Sequence, residues 1–131
     1  MTSLVFAIAT LIGCGQNAAD QDGGTIGILR FGTETVGDIC VVVHKQDASG
    51  FQQIGYGTTL ASGTFSLVTT GGAEPLVLEP GEYAFTLESL GPQIPFPAEF
   101  LSPEKSPLKA TWSDESSLID LEAPEKLISG L

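Results

Sequence analysis

The sequence predicts an all-β protein, a seven-stranded sandwich rich in antiparallel pairs, on three observations. Apolar residues never hold a helical period over about ten positions. Short apolar-polar alternations recur between turns rich in Gly, Pro and Ser. One stretch, Ile39-Cys40-Val41-Val42-Val43, is apolar on both faces and reads as a central strand.

Strands are expected at about 25–32, 38–45, 53–59, 64–70, 82–88, 108–113 and 117–122. Period-two faces support four of them. Phe65 and Leu67 share one side of their strand, as do Tyr83, Phe85 and Leu87. Leu108, Ala110 and Trp112 do the same, and so do Ile119 and Leu121, opposite Lys109, Thr111 and Asp120. Between the fourth and fifth strands, Leu78-Glu79-Pro80-Gly81-Glu82-Tyr83 fits a tyrosine corner, in which the phenol hydroxyl reaches back to backbone just upstream. A buried phenol needs such a partner.

Ahead of the strands, the segment from Leu4 to Ile12 is apolar except for Thr10. Its length suits the h-region of a signal peptide and is about half of what a helix needs to cross a bilayer. It ends at Leu11-Ile12-Gly13-Cys14 and is followed by a polar stretch, Gly15 to Gly24. This arrangement resembles the lipobox of bacterial lipoproteins. The resemblance implies that Cys14 is acylated and becomes the first residue of the mature protein, lipid-anchored in the cell envelope. The expected organisation is a signal peptide at 1–13, a lipidated cysteine and flexible linker at 14–24, a sandwich at 25–123 and a C-terminal tail at 124–131.

Within the sandwich, the order FGTETVGDICVVVHK, ASGTFSL, LEPGEYAFTL and SPEKSPLKATW resembles transthyretin-like, carboxypeptidase-regulatory-like domains. Ser102-Pro103 and Ser106-Pro107-Leu108 carry the most specific part of that likeness; Ser62-Gly63 stands where the family usually has Asp-Gly. The resemblance implies a non-enzymatic module of an exported protein.

Composition narrows the chemistry. The chain of 131 residues carries 16 Asp and Glu against 5 Lys and Arg, a net charge of −11, which repels nucleic acid and anionic head groups. Membrane attachment must then be hydrophobic or covalent. The single histidine, His44, lies four residues after Cys40. On a strand the two share a face about 13 Å apart, too far for a nucleophile and its base. One histidine also falls short of the several used by hydroxyisourate hydrolases and the two of intradiol dioxygenases. Neither a zinc set nor a spaced acidic calcium loop is present, so no metal or cofactor is expected.

The remaining candidate is Gly91 to Leu108, a long connection with five prolines and with Phe96 and Phe100 as a candidate binding loop. The expected function is a lipid-anchored, non-enzymatic module that binds or scaffolds an envelope protein or polysaccharide. The alternatives are a hydrolase using scattered carboxylates, and a weak calcium-binding adhesion module drawing on Asp114, Glu115, Asp120, Glu122 and Glu125.

Overall fold

The computed structural model describes residues 23–72, 74–91 and 93–130. Their strands are β1 (Ile26–Phe31), β2 (Ile39–Asp47), β3 (Gly50–Thr58), β4 (Thr64–Ser66), β5 (Val68–Thr69), β6 (Gly81–Ser89), β7 (Lys109–Trp112) and β8 (Ile119–Ala123). They form two sheets, ordered β4-β1-β8 and β5-β3-β2-β6-β7. Every pair is antiparallel except β1 with β8, which run parallel with Gly27 opposite Ile119 and Phe31 opposite Ala123. The class is all-β and the arrangement a sandwich. Among the described residues no helix is long and apolar enough to cross a membrane.

The core lies between the sheets and is made by the alternation that the sequence displays. Leu29 and Phe31 from β1, with Ile119 and Leu121 from β8, meet Ile39, Val41 and Val43 from β2 and Phe85 and Leu87 from β6. Each is at most 2% exposed, and full burial of such a side chain contributes roughly 1.5–3 kcal/mol. Gly27 makes room in β1, since a Cβ there would sit 2.3 Å from the Phe65 ring. After β8, a 3-10 turn at Glu125–Ile128 brings Leu127 and Ile128 against this core.

The structure corrects the strand count from seven to eight. The single strand expected at 64–70 divides at Leu67, with β4 pairing β1 in the small sheet and β5 pairing β3 in the large one. Leu67 donates its N–H to Thr25 O at 2.9 Å and accepts from Leu76 N at 3.0 Å. Its backbone is therefore occupied by flanking segments, and the chain changes sheets there. The side chains record the same switch: Leu67 and Val68 are consecutive and both fully buried, which one continuous half-buried strand does not allow.

The tyrosine corner forms as read. Tyr83 is buried, its hydroxyl donates to Glu79 O at 2.6 Å, and burial pushes the phenol's pKa up. A second cluster, Cys40, Val42, Tyr56 and Val68, lies on the opposite face of the large sheet from the main core. That accounts for the doubly apolar character of Ile39–Val43.

Candidate functional site

Leu11, Ile12, Gly13 and Cys14 lie outside the described residues. The proline-rich connection is described but for Pro92, and it is more ordered than a bare loop. Ser89 ties its start, accepting from Ile94 N at 3.3 Å. A 3-10 turn at Ala98–Leu101 follows Pro97, whose carbonyl accepts from Phe100 N at 2.9 Å. Of the two phenylalanines in the candidate binding loop, Phe100 is 2% exposed and belongs to the core. Phe96 is half-buried and stacks on Phe31 with ring centroids 6.4 Å apart. Its other neighbour is Phe100, at 6.3 Å.

Ser106 anchors the far end of the connection. Phe85 N donates to Leu108 O at 2.8 Å, but the return rung is not direct. Leu108 N donates to Ser106 Oγ at 3.0 Å, and that hydroxyl donates to Phe85 O at 2.5 Å. The side chain is thus interposed in the ladder where β7 begins to pair with β6, just before Pro107, which has no N–H to give.

Held at both ends, the connection forms one wall of a groove of about 600 Å³ on the outer face of the large sheet. The floor is Val42 and His44 of β2, Thr86 and Glu88 of β6, and Gln53 of β3. The wall is Ile94, Pro95, Phe96 and Leu101. A register shift between β2 and β3 at Val43/His44 leaves His44 opposite Gln53 while Val43 stays opposite Gly55. Such a bulge re-aims side chains locally without losing the pairing beyond it.

His44 Nε2 and Thr86 Oγ1 are hydrogen-bonded at 2.9 Å. Burial lowers the His44 pKa below the ordinary 6.5, opposed by the nearby carboxylate of Glu104, so the imidazole is neutral at pH 7. Glu88 is exposed and, among the described residues, makes no ion pair. The groove therefore offers a carboxylate, a neutral imidazole, an amide and a hydroxyl along one side, and apolar surface along the other.

Cys40 and His44 both lie on the outer face of β2, opposite Thr58 and Gln53 respectively. His44 bonds Thr86 and not Cys40. Cys40 is fully buried, as a core-like cysteine should be. Of the acidic side chains near the last hairpin, Asp120 pairs with Arg30 at 2.5 Å. Among the described residues no group of three or more His, Cys, Asp or Glu is placed to hold a metal ion.

The sequence pointed to Phe96 but not to Glu88, Thr86 or Gln53. Period two places Val42 with His44, and Thr86 with Glu88, on outward faces; what it does not reveal is that a connection from elsewhere lines a groove with them. No protein-family model, curated protein or solved structure significantly matches the chain.

Proposed function

We propose that the chain is a lipid-anchored, non-enzymatic β-sandwich module of the bacterial cell envelope, transthyretin-like in its domain, that binds an envelope protein or polysaccharide. The observation that carries the anchor is the apolar run closing at Leu11-Ile12-Gly13-Cys14 before a polar stretch. A net charge of −11 gives no electrostatic route to an anionic surface, so covalent lipid supplies the attachment, at about 0.8 kcal/mol per buried CH₂. The tyrosine corner and the Ser106 bridge support the domain reading, because both sit at the sequence signatures that suggested it. The outer groove supports binding, being of a volume that ligand sites usually have and lined by a few convergent polar groups.

Metabolic labelling with a palmitate analogue tests the anchor, with label expected on the wild type and absent from Cys14→Ala. Equal label in both overturns it. So does an intact mass for the membrane-extracted protein showing Cys14 joined to Cys40, since one sulfur cannot carry both a thioether and a disulfide.

A further inference from the structure

The groove's two sides have unlike chemistry, and its charge has one sign. Glu88 stands in the floor without an ion-pair partner among the described residues, while Glu104 is near enough to act on His44. A nearby ammonium, Lys109 Nζ, lies outside the lining and beside Glu104, whose carboxylate it partly offsets. It lies 5.7 Å from the centroid of the Phe51 ring and 3.4 Å from the backbone oxygen of Glu104. His44 adds no positive charge, because burial keeps it neutral. Opposite these polar groups, Phe96 is half-buried and Leu101 is 58% exposed, which leaves a strip of apolar surface facing solvent. An anion would enter against the Glu88 carboxylate and the net charge of the chain. A wholly apolar ligand would leave Glu88 and Gln53 to be desolvated without compensation.

We propose that this groove takes an amphipathic organic cation, its apolar body against Pro95, Phe96 and Leu101 and its ammonium on the side of Glu88. The proposal rests on the reading of the groove as the module's binding site, and not on the lipid anchor. It names the ligand by charge and shape: a primary amine at the end of a body large enough to cover Phe96. Recognition of this kind combines aromatic contact with a partly desolvated ion pair, and its electrostatic part weakens with salt.

His44 is the only histidine of the chain, so its imidazole ring protons form a resolved reporter inside the groove. The full chain is titrated, at low ionic strength, with three probes sharing one body: 4-phenylbutylamine, 4-phenylbutanol and 4-phenylbutyrate. The amine is expected to shift the His44 resonances saturably and to bind at least about fivefold more tightly than the carboxylate. Glu88→Gln, an exposed change that leaves the core untouched, is expected to weaken the amine about threefold and the alcohol hardly at all. Equal affinity across the three charges overturns the cation assignment and leaves the groove as a site. No saturable shift with any of them overturns the groove itself, whatever the labelling of Cys14 shows.

Discussion

The inner and outer faces of β2 and β6 belong to the same two strands and have opposite fates. Inward, Val41, Val43, Phe85 and Leu87 meet the small sheet and are essentially inaccessible. Outward, Val42, His44, Thr86 and Glu88 meet a connection held at Ser89 and Ser106, which covers part of the face and leaves a groove over the rest. A sheet covered by another sheet is filled to crystal-like density and has no space for a ligand. A sheet covered by a tethered connection keeps space in proportion to how far the tether stands off. Open space here follows from what covers the strands, more than from the strands themselves.

Five changes break or sharpen that contrast. Phe100→Ala acts on the filled side and is expected to cost about 3–5 kcal/mol in unfolding free energy by denaturant melts, from a lost ring and the cavity left behind. A loss under about 1 kcal/mol would mean that the filled side tolerates holes. Ser106→Ala removes the hydroxyl bridging Leu108 N and Phe85 O, both at buried residues, and is expected to cost about 2–4 kcal/mol. Hydrogen exchange at Leu108 should then rise ahead of that in β2. Tyr83→Phe, which strands the Glu79 carbonyl, is expected to cost about 1–2 kcal/mol. Phe96→Ala, on the groove side, is expected to cost about 1 kcal/mol, since the ring is only half-buried. Its larger effect should fall on 4-phenylbutylamine binding.

The smallest effect is the pH dependence from His44. Its folded pKa lies below the ordinary 6.5, so between those two values the unfolded chain binds more protons than the folded one. Stability therefore rises with pH through that window and falls as the solution is acidified through it. Glu104 titrates lower, its pKa held down by backbone and Ser102 hydrogen bonds, so comparison of wild type with His44→Gln isolates the histidine. Parallel stability curves for the two proteins from pH 5 to pH 7 would remove His44 from the account.

Much of the inner face was legible in the sequence because period two speaks directly about burial. The alternating residues of β6 and β8, and the doubly apolar Ile39–Val43, all fell as read. The tyrosine corner was legible because its donor and acceptor are four residues apart. The division at Leu67 was not, since it depends on Thr25 and Leu76 taking up the backbone there. The groove was invisible for the same reason: His44 and Thr86 are 42 positions apart, and local pattern carries nothing about such a meeting. Ser106 is an intermediate case, its Ser-Pro signature visible but its place inside a ladder rung known only from the fold.

The parallel pairing of β1 with β8 fixes how this domain would bear a load. Because the two strands point the same way, the start of β1 and the end of β8 lie at opposite ends of their shared ladder, from Gly27–Ile119 to Phe31–Ala123. Tension applied to the chain before β1 and after β8 would draw the strands past each other along their length, so the rungs between them would share the force. A hairpin pulled from its open end gives way one rung at a time. This sandwich would resist until the whole β1–β8 seam slipped together, and its lifetime under tension would be set by the rate of that one event.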